Sequence, residues 1–311
     1  MGKILDKKKV DKSYILSRFF RLYMQIQYWF VSDKKFMENA YRKKFHRALN
    51  WEHPSTYQEK LQWLKLYHRL DIQTQCADKV NVRDYVSKVI GAKYLIPQPL
   101  VFGDVKKLKP ENLPDYPFIV KCNHNSAAYT IVRDKSTVNW KKERIKFGNL
   151  LKQNYYYQSR EWQYKNIVPK IIIEELLMDN QGNVPLDYKF YCFNGEPKAI
   201  HVSIKRDNVH YVIFFDLEWK KIPLKYEEYS NNNPFPIEKP KRLAEMADLA
   251  RKLSHHYPFA RIDFYHNNDE IYFGEITYDP GSGLLHYEPE PYDQLMGDWI
   301  SLAGIEKKHR V

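Results

Sequence analysis

The chain has 311 residues, 43% hydrophobic and 28% charged, with a formal net charge of +12. This composition excludes a disordered chain, and the length accommodates two or three packed subdomains. Three distant cysteines, Cys76, Cys122 and Cys192, without Cys-x-x-Cys spacing exclude a disulfide framework and a zinc finger, and they fit a reducing compartment.

The charge is uneven. Residues 1–50 hold 13 Lys/Arg against 4 Asp/Glu, a net of +9, while the rest hold 37 against 34, a net of +3. A basic arm of this kind seeks a polyanion, whereas the nearly balanced body argues against a broad nucleic-acid footprint. Residues 13–32 predict an amphipathic helix. Arg18, Arg21, Gln25, Tyr28 and Ser32 form its polar stripe; Ile15, Phe19, Leu22, Ile26 and Phe30 form its apolar one. Two placements are open for the apolar stripe: a membrane interface, or the protein's own body. No run of 18 apolar residues predicts a transmembrane helix. Asp6 stands where a myristoylation motif takes Ser or Thr, and Arg18 and Arg21 break any signal-peptide core. The expected location is therefore cytoplasmic, with residues 1–35 able to reach an anionic membrane surface at the inner face.

A helix over residues 55–70 opens on the capping box Thr56-x-x-Glu59. Another spans 78–90 and stops at Gly91. Phe118–Cys122 and Tyr129–Arg133 predict a hairpin, followed by a helix over 138–154. Lys170–Leu177 is an apolar strand except for Glu174 and Glu175. Asp187–Phe193 and Pro197–Ile204 flank Asn194-Gly195, a strong hairpin signal. His210–Asp216 is a further strand and Pro240–His256 a helix. Phe259–Tyr265 and Glu270–Thr277 make a second hairpin, before Pro280-Gly281-Ser282-Gly283 and a helix over 291–302. Hairpin connections predict a largely antiparallel sheet in an α+β fold.

Period two places Arg261 and Asp263 on one strand face, and Glu275 and Thr277 on one face of the next. Neighbouring carboxylates need a cation, and Mg²⁺ with a triphosphate would serve. The bland alternative is two solvent-facing acids. Gly281 and Gly283 let backbone N–H groups converge on an anion, or simply make a turn. Lys121 ends an apolar strand, where it could hold a phosphate. His255 and His256 are adjacent, so they cannot ligate one metal from one helix face. The Tyr155–Tyr157 run fits a core or a cleft wall.

In this order the set resembles the TupA-like (teichuronopeptide-biosynthesis-type) ATP-grasp family. The stretches that carry the resemblance are YQEKLQWLKLY from Tyr57, ADKVNVRDYV from Ala77, FIVKCNH from Phe118, REWQYKN from Arg160, DYKFYCFNGEP from Asp187, RIDFY from Arg261 and FGEITYDPGSG from Phe273. The resemblance implies an ATP-grasp fold with two α+β subdomains clasping a nucleotide cleft. Its expected segments are a basic helical arm over 1–50, a helical or substrate subdomain over 51–116, a small subdomain with the phosphate loop over 117–170, and a large subdomain with the metal site over 171–311. It implies ATP and Mg²⁺ as cofactors. Lys121, His124, Asn125, Ser126 and Arg83 would meet phosphates, Glu174, Glu175, Leu176 and Leu177 would form the adenine–ribose hinge, and Lys189 would face the cleft. Asp263, Glu275 and Thr277 would hold the metal. Arg261 would face the transferred phosphate, and Ser282 and Gly283 would line the acyl-acceptor side.

Two positions depart from the family pattern. Thr277 stands where the wider superfamily places Asn, and His124-Asn125-Ser126-Ala127-Ala128 stands where the family shows His-Gly-Ser-Gly. The second change predicts a looser phosphate cover, since Ala rarely takes positive φ. The implied chemistry is amide formation between an acidic sugar or polysaccharide precursor and an amine, through an acyl phosphate, in cell-surface (capsular or teichuronic-type) polysaccharide synthesis. The alternatives are a glycosyltransferase, disfavoured by the missing Asp-x-Asp, and a scaffold or polysaccharide-binding protein that has lost its nucleotide.

Overall fold

The structure, a computed structural model, describes residues 19, 22–97, 99–126, 128–206, 209–227 and 229–305. Expectations resting on residues 1–18, 20 and 21, including Ile15, Arg18 and Arg21, lie outside them, as does Ala127. Residues 22–30 are helical, and helix α1 (Asp33–Phe45) follows directly after the N-cap Ser32.

Helix α2 (Tyr57–Tyr67) carries the expected capping box. Thr56 Oγ1 accepts from Glu59 N–H at 3.4 Å, and the Glu59 carboxylate accepts from Thr56 N–H at 3.3 Å. The helix expected over 78–90 is present as α4 (Val82–Val89), and a separate helix, α3 (Asp71–Ala77), precedes it. Asp78 breaks them apart. Its Oδ1 accepts from Val80 N–H at 2.8 Å, a side-chain-capped turn that competes with continuous helix.

The first sheet has four strands in the order β1-β4-β2-β3: β1 (Leu100–Phe102), β2 (Phe118–Cys122), β3 (Tyr129–Val132) and β4 (Ile171–Glu175). Its pairs are antiparallel. Phe118, Val120, Cys122, Ile171 and Ile173 pack on Trp140 and Phe147 of helix α5 (Trp140–Leu150). The segment boundaries expected at 116/117 and 170/171 both fall inside this sheet, because β1 precedes the first and β4 follows the second. Strand pairing, not chain order, assembles the unit. Helix α6 (Tyr155–Ser159) sits between the sheet's third and fourth strands in sequence.

The second sheet has six strands in the order β11-β10-β5-β6-β7-β8: β5 (Asp187–Phe193), β6 (Glu196–Arg206), β7 (Val209–Phe215), β8 (Lys221–Ile222), β10 (Phe259–Asn267) and β11 (Glu270–Thr277). A two-stranded pair, β9 (Lys225–Tyr226) with β12 (Tyr287–Glu288), lies beside it. The Asn194-Gly195 turn takes φ 49° and 83°, as the dipeptide predicts. Helix α7 (Leu243–Ser254) buries Met246, Leu249 and Leu253 against Phe190, Val202 and Ile262 on one face. On the other face α2 and helix α8 (Pro291–Asp298) cover Tyr191, Phe193 and Phe259.

α8 crosses the start of α2 with no room to spare. A methyl at Gly297 would sit 2.2 Å from the Ser55 carbonyl oxygen and 2.8 Å from Tyr57 N. These are backbone atoms that cannot step aside, so Gly297→Ala should destabilise the protein by about 3 kcal/mol in urea titrations. An unchanged unfolding midpoint would mean that the two helices are not seated this closely.

Candidate functional site

Three neighbouring strands deliver one row of charges. In register, Lys189 of β5 lies opposite Asp263 of β10, which lies opposite Glu275 of β11. One row along, Tyr191, Arg261 and Thr277 align likewise. The guanidinium of Arg261 binds this row. Its Nε donates to Asp263 Oδ1 at 2.8 Å, and its Nη2 donates to Asp263 Oδ2 at 2.7 Å, Glu275 Oε1 at 2.8 Å and Thr277 Oγ1 at 3.0 Å. Lys189 Nζ donates to Asp263 Oδ2 at 3.0 Å and also pairs with Asp187. A bulge after Asp263 shifts the register so that Phe264 faces Phe273, skipping Gly274. A Cβ at Gly274 would meet the Asp263 carbonyl oxygen at 3.1 Å, so glycine lets the strands close beside the carboxylate.

Asp263 is 2% exposed, whereas the Glu275 side chain keeps 38% of its surface in water. Burial opposes ionisation of Glu275, but Lys79, Arg261 and Lys189 together outweigh it and hold its carboxyl at about 2. Burial raises Asp187 to about 6, against the pull of Lys189.

Lys79 did not figure in the sequence expectations. Its Nζ donates to the Asn125 carbonyl at 2.9 Å and lies in the fields of Glu275 and Lys121. It is set there by Asp78, whose Oδ1 also accepts from Asn123 Nδ2 at 2.9 Å, tying the α3–α4 turn to the loop after β2. The signal lies in the Asp78-Lys79 pair within ADKVNVRDYV. Arg83 donates to the Ile96 carbonyl at 3.0 Å, and burial lowers its guanidinium against the pull of Glu174 and Asp84.

Lys121 projects from the face of β2 turned away from α5 and donates to Glu174 Oε1 at 2.5 Å. Glu175, next on β4, is exposed. Leu176 is buried and its N–H is committed to the Pro117 carbonyl at 3.0 Å, while Leu177 is half-buried. In the loop, His124 is turned into the body, with Nε2 beside the Leu150 carbonyl at 3.1 Å and Nδ1 beside Asn123 Oδ1 at 3.3 Å. The structure thus places His124 beneath the loop, as a support. Ser126 is exposed. Asn125 is 6% exposed, and neither its Oδ1 nor its Nδ2 has a partner among the described residues.

A second charged cluster sits at the Pro280–Gly283 turn, where Gly281, Ser282 and Gly283 take φ 56°, 60° and 66°. Lys65 Nζ donates to the Ser282 carbonyl at 2.8 Å and to its Oγ at 3.1 Å, and Gln62 Nε2 donates to the Gly283 carbonyl at 2.8 Å. Gln163 Nε2 donates to Asp279 Oδ2 at 2.9 Å and to Glu161 Oε2 at 3.3 Å. Lys65, Glu161 and Asp279 are all buried. The sequence held a cue: Gln58, Gln62 and Lys65 recur at helical spacing within the helix, and Arg69 follows just past its end. Tyr164 lies in the fields of both Glu161 and Glu275, which links the two clusters.

The sequence matches the family described as TupA-like ATPgrasp over residues 59–301. The chain belongs to the TupA-like ATP-grasp family. Among solved structures it is similar to D-alanine-D-alanine ligase from Helicobacter pylori, with 14% identity, TM-score 0.41, and 74% of this chain and 61% of that one covered. It is also similar to the ATP-grasp ligase PsnB complexed with a phosphomimetic variant of minimal precursor, Mg and ADP, with 9% identity, TM-score 0.39 and coverage of 73% and 60%. A third similar structure is the ADP complex of purK, N5-carboxyaminoimidazole ribonucleotide synthetase, with 11% identity, TM-score 0.40 and coverage of 79% and 57%. The chain therefore spans about three fifths of these proteins' lengths. No curated protein matches.

The donor chemistry of this family member fits Mg²⁺. Asp263, Glu275 and Thr277 offer hard oxygens. Among the described residues no group of three or more His, Cys, Asp and Glu side chains gathers to hold a metal by itself, so phosphate oxygens would complete the shell. The unpartnered amide of Asn125, beside the Lys79 ammonium, fits a phosphate in the same way.

Burial, reinforced by Asp279, pushes Glu161 up to about 8, from 4.5 in an unfolded chain. Between those values the folded state keeps a proton that the unfolded state has lost, so this group's contribution to stability, full below 4.5, is lost as pH rises through 8. Thermal unfolding should show Tm falling across that window in the wild type and falling less steeply in Glu161→Gln. Parallel slopes would show that Glu161 stays ionised.

Proposed function

We propose that this protein is an ATP-dependent carboxylate–amine ligase. The observation that carries the proposal is the Lys189–Asp263–Glu275 row with Arg261 on it, together with Lys79, which bonds the Asn125 carbonyl and lies in the field of Glu275. ATP would supply the phosphoryl group, and Mg²⁺ would neutralise its charge from Asp263, Glu275 and Thr277.

Lys79 and Lys121 give point charges for phosphate oxygens, and Asn125 gives an amide N–H. Arg261, always protonated, presents its remaining donors where charge builds as a substrate carboxylate attacks phosphorus. That attack forms an acyl phosphate as the bond to the departing diphosphate breaks. An amine then attacks the acyl carbon, and phosphate leaves. The cluster at Ser282 suits the amine. Glu161 and Asp279 beside Lys65 offer carboxyl oxygens to an incoming amine, and the proton the amine sheds on attacking the acyl carbon would leave with the departing phosphate. The acid substrate is proposed to be a sugar acid of a cell-surface polysaccharide precursor, as the family's teichuronopeptide-type members suggest.

Isothermal titration of Mg-ATP should give one site in the wild type and binding weaker by about tenfold or more in Lys121→Ala and Glu275→Ala. Phosphate release should then require both a sugar acid and an amine. A wild type that does not bind Mg-ATP would overturn the ligase proposal in favour of a scaffold that has lost its nucleotide.

A further inference from the structure

The helix over residues 22–30 is fastened on one side only. Met24 is buried, and the Tyr28 ring packs on Tyr156 and Tyr157 with centroids 5.7 and 5.1 Å away. The Arg160 guanidinium lies 5.3 Å from the Tyr28 ring. Tyr28, placed on the polar stripe by sequence pattern, is thus the docking residue. At the α-helical turn of about 100° per residue, Leu22, Tyr23, Ile26, Trp29 and Phe30 span an arc of about 120° away from that contact. All five are exposed, Trp29 at 79% and Phe30 at 84%. Phe19 is exposed as well. Six of the 16 large exposed hydrophobic residues among those described therefore fall within twelve consecutive positions, whereas the rest are scattered. A contiguous apolar patch marks a binding surface, where single exposed residues do not.

Charge identifies the occupant. The arm carries a net +9. Lys34, Lys35, Arg42 and Lys43, just past the helix, are exposed. The two acids of that stretch are each held by partners, Glu38 in part by Lys35, whose Nζ lies 3.8 Å from its carboxylate. Asp33 accepts from Arg69 Nη2 at 2.6 Å and Tyr156 Oη at 2.7 Å, and Glu38 accepts from Trp51 Nε1 at 2.9 Å. Pairing two copies through this face would bring two such arms together and concentrate their positive charge. An anionic phospholipid bilayer neutralises the same charge while taking Trp, Phe and Leu into its interface. Among the described residues no helix is long and apolar enough to cross a membrane, so the contact lies along the surface.

We infer that residues 22–30 form an interfacial helix that docks the protein on anionic phospholipid through Leu22, Ile26, Trp29 and Phe30.

Full-length protein should sediment with vesicles of phosphatidylcholine containing phosphatidylserine, less with phosphatidylcholine alone, and less as salt rises. The Trp29→Ser/Phe30→Ser protein should bind anionic vesicles about tenfold more weakly or worse. Both residues are exposed, so unchanged thermal unfolding of this variant confirms that folding is not the cause. A wild type left in the supernatant, or a variant that binds equally well, would overturn the inference. So would a lipid-free dimer in analytical ultracentrifugation that the variant abolishes. None of these readouts involves nucleotide, so they stand apart from the ligase test.

Discussion

Two carboxylates on adjacent antiparallel strands, one of them almost wholly buried, cannot both stay ionised without cations close by. That constraint organises the centre of the molecule. Arg261 sits on the same strand face as Asp263 and reaches both acids. Lys189 comes from the next strand, and Lys79 arrives from the α3–α4 turn. The glycine bulge at 274 lets the strands close beside Asp263. A site that balances charge this way already contains the cations that phosphates would need. Binding would redistribute existing ion pairs, with the Lys121–Glu174 contact the simplest to exchange, since it joins two single groups.

The second cluster obeys the same electrostatics with the opposite outcome. Around Glu275 three cations outweigh burial, and the carboxyl is held at about 2. Around Glu161 one lysine faces two buried carboxylates, burial prevails, and the carboxyl is pushed up to about 8. The same residue type thus ends in opposite charge states at neutral pH, Glu275 ionised and Glu161 protonated, according to how many cations surround it. Burial, with the fields of Glu161 and Glu275, raises the Tyr164 hydroxyl well above its ordinary value.

Much of this was legible in the sequence, for identifiable reasons. Period-two alternation and the Asn194-Gly195 turn are local signals, so the hairpins, the nearness of Asp263 to Glu275 and the place of Lys121 at the end of an apolar strand could be read directly. The capping box at Thr56 is equally local. What escaped notice depends on contacts distant in sequence. Lys79 matters because the Asp78 side chain bonds Asn123, 45 residues away. Lys65 matters because α2 lies under a turn 217 residues later. His124 looked like a loop contact, yet its ring is drawn into the body by a carbonyl of α5. Subdomain limits escaped for the same reason, since β1 and β4 join one sheet from either side of the loop.

The arm is not an independent appendage. Asp33 is held by Arg69 at 2.6 Å and Arg160 at 3.3 Å. Arg69 lies one helical turn past Lys65, and its Nε donates to the Lys65 carbonyl at 3.1 Å. Arg160 immediately precedes Glu161, and its guanidinium packs against Phe36 and Tyr28 of the arm. A single carboxylate therefore fixes the start of α1 to the two backbone segments that present Lys65 and Glu161. Both arginines are almost fully buried, so loosening this joint would leave uncompensated charge in the interior, which is costly. The joint is consequently stiff. A surface on which the exposed helix rested would set the orientation of the Ser282 cluster relative to that surface, and a substrate held in the same plane would meet the cluster from one fixed direction.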